Sequence, residues 1–319
     1  MSSVPKLTIS LVNTNNRDLL RACLQSLYSV DHSASFEVIL VDNLSTDGSR
    51  EMVAAEFSKV QLVLNGARQG FGANHNQAIR RAKGEYILVL NEDTIVRAGA
   101  LKAMADYLDA DSAAGAVGCR LENPDGTLQP SCYRFPSPGR SVAENLLLVA
   151  AFPDNRFWGD YRAWAHDDQR YVDFVSGAAI MVRREVIETV GTFDEQFFIY
   201  AEETDWCYRM SKARWKVAFT PAGTIVHYGG QSSVAFKDRQ FCEFNRSATK
   251  YFRKHHGRSG VAVNHLAMLV GSIVRIPLWL GIFLIFERKR QVAAQRLRLW
   301  SRIFTWTVGF RGRGLAPSS

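Results

Sequence analysis

Four short apolar runs punctuate the first ninety residues: Leu7–Val12, Phe36–Val41, Val60–Leu64 and Glu85–Leu90. As a set they are continuously apolar rather than alternating, the pattern of strands buried on both faces. Such strands need helices above and below them, and the intervening stretches supply these. Leu20, Leu24 and Leu27 recur at helical spacing over about Asp18–Val30, with Asn16 placed to cap the helix. Asp47-Gly48 opens a short helix running to Phe57, and Asn74–Lys83 reads as a third. The alternation predicts an α/β fold built on a doubly wound, mostly parallel, Rossmann-like sheet.

Residues from about Asn123 to Arg170 lose this rhythm. They are rich in Pro, Arg and aromatics (Tyr133, Phe135, Phe157, Trp158, Tyr161, Trp164) and read as a loop-rich insertion over the sheet. Regular structure is expected again at Val172–Val182, in a helix near Glu203–Lys212 and in a strand at Lys216–Phe219. From Val261 the character changes. Val261–Phe286 is apolar except for Asn264, His265, Arg275 and Pro277, and is long enough on paper to span a bilayer. Arg275 and Pro277 in mid-run favour a segment lying in the membrane plane or re-entering it. Gln291–Phe310 follows, with Leu297, Trp300, Phe304 and Val308 about one turn apart beside arginines. A basic face next to Trp and Phe suits an anionic membrane surface; the alternative is a helical pair packed on the domain. The expected division is therefore 1–255 and 256–319.

Charge supports that division. The net charge is +8, yet eight Lys/Arg and no acid follow Glu287, so residues 1–287 carry 31 of each sign. A nucleic-acid binder would spread its basicity over the folded domain, so none is expected as a partner. The five cysteines are scattered, odd in number and contain no Cys-x-x-Cys, which argues against a disulfide framework or zinc site and fits a reducing compartment. Met1–Leu7 is short and polar, and no secretory signal is expected there.

Ligands of open α/β sheets sit beyond the carboxyl ends of the strands. Three polar clusters fall there: Asn13-Thr14-Asn15, Asp42-Asn43 and Asn91-Glu92-Asp93. Asp42 could accept hydrogen bonds from a base or ribose, with Asn43 and Ser45 adding reach, or could belong to an ordinary turn cornered by Asp47-Gly48. In the stretch from Asn65 to Asn76, Gly70 and Gly72 would let backbone approach a ligand, Arg68 could add charge, and a helix from about Ala73 would aim its amides at an anion; a plain helix cap explains the same residues. Asn91 and Asp93, two apart in an extended stretch, point the same way and can share a cation, while Glu92 points away. A solvated acidic turn is the alternative.

Glu202, Glu203 and Asp205 crowd three carboxylates between an aromatic run and a helix start. Crowding raises carboxyl pKa values and suits a general base; charge at a helix N-terminus is the plainer explanation. Tyr200 and Trp206 suggest partial enclosure. His227 precedes Tyr228-Gly229-Gly230; a neutral imidazole facing Asp93 would complete a site suited to Mn²⁺, and the glycine pair could hinge a loop.

Taken together, VDNLSTDGS at 41–49, GFGANHN at 70–76, LNEDT at 90–94, FDEQFFIYAEETDW at 193–206 and His227 resemble the family 2 glycosyltransferases, especially their rhamnosyltransferase-like branch, over roughly residues 6–250. The resemblance implies a GT-A fold and an inverting, metal-dependent hexosyltransferase, to which the stretch after 256 adds the expected C-terminal membrane-associated helices. It places Thr14, Asn15 and Asp42 on the nucleotide base and ribose and Asn74 near the donor; Asn91 and Glu92 of the metal motif, and Asn43, Arg68 and Gly72 from the chemistry above, complete the expected donor site. Asn91-Glu92-Asp93 stands where the family has Asp-x-Asp, so Asp93, His227 and Asn91 would hold Mn²⁺ or Mg²⁺. Glu203 falls at the catalytic-base position, with Asp205 the next candidate and Arg209 supporting the helix. Two positions depart from the usual pattern: Asn91 replaces the first Asp, and Glu203 is one methylene longer than the usual Asp. The implied reaction moves a sugar, L-rhamnose from dTDP-L-rhamnose, to a lipid-linked glycan or cell-envelope polysaccharide precursor at the cytoplasmic membrane face. A UDP-sugar donor, an inactive membrane scaffold and a nucleotidyltransferase are the rivals, the last opposed by Asn13-Thr14-Asn15-Asn16 in place of a Gly-rich, Lys-containing loop.

Overall fold

The computed structural model describes residues 4–29, 33–152, 155, 159, 161, 164–229 and 237–309. In chain order the first half comprises β1 (Leu7–Asn13), α1 (Arg17–Tyr28), β2 (Phe36–Asp42), α2 (Ser49–Glu56), β3 (Val60–Leu64), α3 (Phe71–Ile79), β4 (Tyr86–Asn91), β5 (Thr94–Val96), α4 (Ala100–Ala110) and β6 (Ala114–Glu122). Then come β7 (Leu128–Gln129), β8 (Cys132–Tyr133), α5 (Pro138–Asn145), α6 (Leu148–Ala151), β9 (Arg170–Val172), β10 (Phe174–Val175), β11 (Ala179–Arg183), α7 (Arg184–Val190), α8 (Glu202–Lys212), β12 (Lys216–His227), α9 (Lys237–Ile285) and α10 (Arg290–Thr307).

The main sheet runs β3-β2-β1-β4-β11-β6-β12-β5, with β7 on β6 and β9 on β12. β1 pairs in parallel with both β2 and β4, β2 with β3, and β12 with β6; β11 runs against its neighbours β4 and β6. The strands that run one way end together: Asn13 lies opposite Asp42, Val12 opposite Asn91, and Val226 opposite Glu122. This shared edge gathers the polar clusters that are far apart in sequence.

The apolar runs explain the interior. Leu7, Ile9 and Leu11 of β1 and Leu88 and Leu90 of β4 are fully buried with Leu20, Leu24 and Leu27 of α1 and Leu101, Met104 and Leu108 of α4. Full burial of one such side chain contributes about 1.5–3 kcal/mol. The other face of β1 carries Thr8 and Ser10, buried but bonded to Glu37 Oε1 and His75 Nδ1 at 2.7 Å each, so neither hydroxyl is left unpaired.

Several expectations need correcting. Asn16 does not cap α1: its amide donates to Glu92 Oε1 at 2.7 Å, and Asp47 Oδ2 takes the first-turn amide of Arg17 at 2.8 Å. α3 starts at Phe71, two residues before the expected Ala73. The expected strand at 216–219 continues to His227 across an irregularity between Thr220 and Thr224. Residues 123–170 contain β7, β8, α5 and α6, and are not loop throughout; Phe157 and Trp158 lie outside the described residues, as does Gly230. The chain forms two compact units, Met1–Phe135 with Trp164–Ser247, and Pro136–Ala163 with Ala248–Ser319. The second unit therefore takes in 136–163, which the sequence reading gave to the first, and starts eight residues before the expected 256.

Within the second unit, α9 breaks at Gly257 (φ +67°) and is long and apolar enough to cross a membrane. Arg275 is not left in an apolar environment. Its guanidinium donates to the Glu144 and Asn145 carbonyls at the end of α5, at 2.8 and 2.5 Å, and lies over the Trp300 ring at 4.4 Å. Ser141 and Asn264 bond at 2.7 Å on the same inward side. The outward side of α9 exposes Leu266, Ile273, Leu278 and Leu284.

Candidate active site

The first two strand ends are stitched together. Ser45 Oγ accepts from Asn13 Nδ2 at 2.9 Å and from the Asn15 amide at 3.1 Å, and Asn15 Oδ1 accepts the Thr46 amide at 2.7 Å. Asn15 is exposed with φ +55°, and Thr14 beside it is half-buried. Asp42 is buried; its Oδ2 accepts from the Ser45 amide at 3.0 Å and pairs with Arg50 Nε at 2.6 Å. Its Oδ1 is buried and has no partner.

Next to it the amides close on one another. Asn43 Oδ1 accepts from Asn65 Nδ2 at 3.0 Å and from the Gln69 amide at 2.9 Å, and Asn65 Nδ2 also reaches Asn74 Oδ1 at 2.6 Å. Asn43 and Asn74 both donate to the Gln69 carbonyl at 3.2 Å. These two residues, expected at the donor, shape the 65–70 loop, and Arg68 stands exposed on that loop. Gly70 and Gly72 do not make room for a ligand. A Cβ on Gly70 would meet the Phe198 carbonyl oxygen at 2.5 Å, and one on Gly72 would meet Phe193 Cβ at 2.9 Å. The amide of Phe71 is already bonded to Phe198 at 2.8 Å. The glycines let α3 press against the 193–198 segment, which Asn76 grips through Phe193 N and O at 3.0 and 2.9 Å. His75, inside this contact, is fully buried and its pKa falls to about 3 because burial disfavours its charge.

The third cluster differs. Pairing of His227 with Thr94, and the bond from the Tyr228 amide to the Asp93 carbonyl at 2.9 Å, bring β12 beside residues 91–94. His227 Nε2 lies 3.3 Å from Asp93 Oδ1 and 3.3 Å from Asn91 Nδ2. Asp93 is buried, and its Oδ1 has no hydrogen-bond partner. A buried, unpartnered carboxylate oxygen beside an imidazole nitrogen gives two donors of the kind that hold a divalent cation, and Asn91, which turns its Nδ2 to the imidazole, would offer Oδ1 only after rotating its amide. Glu92 faces away, on Asn16, and its pKa rises to about 7 through burial and then the Asp93 charge, opposed by the Asn16 bond.

The fourth cluster lies beside the third. The Asn91 amide donates to the Ala178 carbonyl at 3.0 Å. Adjacent Gly177 packs against Glu203, and its amide helps to hold that carboxylate. Glu203 is half-buried. Burial lifts its pKa above the ordinary glutamate value, against the pull of backbone amides of Glu203, Thr204 and Gly177. Glu202 is buried with Oε2 unpartnered, and burial followed by the Glu203 charge raises it strongly. Asp205 is fully buried and paired with Arg209 Nε at 2.8 Å, while the Arg209 guanidinium also ties the Val190 and Thr192 carbonyls at 2.8 and 2.7 Å. No substrate hydroxyl can reach Asp205, so the expected second candidate base is a structural anchor for α8. Just before α8, Tyr200 and Ala201 hold φ of +69° and +66°. Left-handed backbone at two successive non-glycine residues is costly and is typically concentrated where function needs it.

The sequence profile of Glycosyl transferase family 2 matches residues 8–191. The chain belongs to this family. Its curated relatives include the N-acetylglucosaminyl-diphospho-decaprenol L-rhamnosyltransferase of Mycobacterium tuberculosis, 31% identical over 61% of this chain and 67% of that protein. The rhamnosyltransferase WbbL of Escherichia coli is 23% identical over 77% of this chain and 92% of that protein. Among solved structures, the mannosyltransferase PcManGT of Pyrobaculum calidifontis, in complex with GDP-Man and Mn²⁺, aligns with a TM-score of 0.58 at 19% identity, covering 96% of this chain and 84% of that one. The GT-A fold and the rhamnosyltransferase-like branch of family 2 thus stand, and the protein is a glycosyltransferase.

Glu203 and His227 lie beyond the matched stretch. The sheet nevertheless brings them to the same edge as Asn91 and Asp93, through Gly177–Ala178 and the β12–β5 pairing. Sequence reasoning missed Arg50, which pairs with Asp42, and the Gly177 amide beside Glu203. Arg50 lies eight residues on, across a turn, and an amide has no sequence signal.

Proposed function

We propose that this glycosyltransferase is inverting and metal-dependent, and moves L-rhamnose from dTDP-L-rhamnose to a lipid-linked glycan or cell-envelope polysaccharide precursor. One observation supports the mechanism best: the edge that carries the unpartnered Asp93 Oδ1 also carries Glu203, a half-buried carboxyl raised by burial, whereas Glu92, the other half-buried raised carboxyl there, already accepts from the Asn16 amide. Asp93, His227 and Asn91 would hold Mn²⁺ or Mg²⁺, which supplies positive charge against the departing diphosphate. Thr14 and Asn15 would meet the nucleoside, with the unpartnered Asp42 Oδ1 buried behind them as an acceptor. Glu203 takes the proton of the acceptor hydroxyl as that oxygen bonds to the anomeric carbon and the carbon–oxygen bond to the diphosphate breaks on the opposite face. Asp205 and Glu202 are too buried to serve as a covalent nucleophile, so a single displacement with inversion is the chemistry this arrangement fits.

The sugar and acceptor rest on the rhamnosyltransferase relatives, whose names include a decaprenol-linked substrate. A lipid-linked acceptor fits a chain whose second unit exposes an apolar helix side followed by exposed Arg288, Lys289, Arg290, Arg296 and Arg298. That combination suits the anionic, cytoplasmic face of a membrane; Arg311 and Arg313 lie outside the described residues. The test is nucleoside diphosphate release from dTDP-L-rhamnose and from UDP-sugars with Mn²⁺, Mg²⁺ or EDTA. Metal-dependent release from dTDP-L-rhamnose is expected, and release from a UDP-sugar alone overturns the donor. Binding to phosphatidylglycerol vesicles in preference to phosphatidylcholine vesicles checks the membrane surface.

A further inference from the structure

The β6–β7 hairpin carries a run of polar side chains whose hydrogen bonds can point only one way. The Asp125 carboxylate only accepts, and Thr127 Oγ1 donates to its Oδ1 at 2.6 Å. The Thr127 oxygen is then free to accept from Asn123 Nδ2 at 2.9 Å, which turns Asn123 Oδ1 towards Gln129. Gln129 Nε2 donates to that oxygen at 2.9 Å and to the His227 carbonyl at 3.3 Å. With its nitrogen committed to two acceptors, Gln129 presents Oε1 to His227 Nδ1 at 2.7 Å. An amide oxygen cannot donate, so Nδ1 carries the proton. In the neutral ring the lone pair is left on Nε2, the nitrogen that faces Asp93 and Asn91. Gly229 follows with φ of +55°, a backbone conformation that suits glycine.

We propose that Gln129 is a positioning residue: the 123–129 hairpin, anchored on Asp125, fixes the tautomer and ring orientation of His227 so that Nε2 is presented to a divalent cation on Asp93. The inference rests on the metal reading above and adds to it the device that makes the histidine a competent ligand. Partners of this kind, behind a ligating histidine, typically contribute about 10–100-fold to metal affinity.

The test uses Mn²⁺ alone, titrated into the full-length wild type, Gln129→Leu, Gln129→Glu and His227→Ala and followed by the EPR signal of free Mn²⁺. A roughly tenfold weakening in Gln129→Leu is expected, with Gln129→Glu between it and wild type, because its carboxylate still accepts from Nδ1 but cannot donate to Asn123 Oδ1 and the His227 carbonyl. ¹⁵N spectra of the metal-free protein report the tautomer independently of affinity, with His227 Nδ1 protonated in wild type and Gln129→Glu and mixed in Gln129→Leu. If His227→Ala weakens Mn²⁺ binding while Gln129→Leu matches wild type, the role of Gln129 is overturned and the metal reading stands. If Gln129→Leu weakens binding while its ¹⁵N spectrum still shows Nδ1 protonated, packing rather than the accepted hydrogen bond is responsible, and the proposal falls. If His227→Ala binds as wild type, the metal reading itself falls and takes this inference with it.

Discussion

Two stretches of the same sheet edge use polar residues in opposite ways. Around the 65–70 loop, Asn43, Asn65 and Asn74 spend their amides on one another and on Gln69. Around residues 91–93, a buried carboxylate oxygen is left with no hydrogen bond while the His227 imidazole nitrogen stands 3.3 Å from it. A satisfied network lowers the energy of the folded chain and fixes its shape. An unsatisfied buried acceptor raises that energy by about 1–3 kcal/mol, a cost that a bound cation would remove. The contrast separates residues that build the site from those that await a substrate, and it can be broken experimentally.

The sharpest attack is on Glu203. Glu203→Gln is expected to lower kcat by about 10²–10⁴-fold while donor affinity and Tm stay near wild type. Because burial raises the Glu203 pKa and a base must be deprotonated, wild-type activity should fall as pH drops through a value above the usual glutamate range. A pH–rate profile flat down to pH 4.5 would assign the base elsewhere.

Asp205→Ala should act in the reverse sense. It strands Arg209 beside the Val190 and Thr192 carbonyls, and breaking a buried pair of this kind costs about 3–5 kcal/mol. Denaturant melts would read the loss, and any fall in turnover should track the unfolded fraction. A fully folded but inactive Asp205→Ala would return this residue to the chemistry.

Gly72→Ala puts a methyl against Phe193 Cβ and should cost about 1–3 kcal/mol. A variant of normal stability with weakened donor binding would show that Gly72 meets the ligand after all.

The smallest effect carries the opposite sign. Asp93→Asn replaces a buried carboxylate whose Oδ1 is unpartnered with a neutral isostere, so in EDTA the variant should be more stable by up to about 1 kcal/mol, although its metal-dependent activity is lost. Equal or lower Tm in EDTA would mean that Asp93 is satisfied without a cation.

Much of the fold was legible because burial leaves a periodic mark. Continuous apolar runs named β1 to β4, and Leu20, Leu24 and Leu27 named α1. Residues 100–122 carry the same chemistry and fold into α4 and β6, but no motif drew attention to them. Motif positions were legible too, yet their roles were not. A glycine that approaches a ligand and one that approaches Phe198 look alike in one dimension. Asp205 and Glu203 differ by two positions in sequence, and the rotation of α8 buries one completely and leaves the other half-open. In the second unit, the sequence shows Arg275 as a break in an apolar run; only packing shows α5 carbonyls and Trp300 around it.

The sequence by itself therefore determined the layer architecture, the family and the short segments that form the site, because strand periodicity and motif spacing are local properties of the chain. Tertiary structure decided which polar atoms are already paired. Asn91 and His227 are 136 positions apart and meet because the antiparallel β12–β5 pairing sets His227 opposite Thr94, just beyond the end of β4. Whether a carboxylate is an anchor, a base or a ligand depends on what stands 3 Å away, and that neighbour comes from elsewhere in the chain.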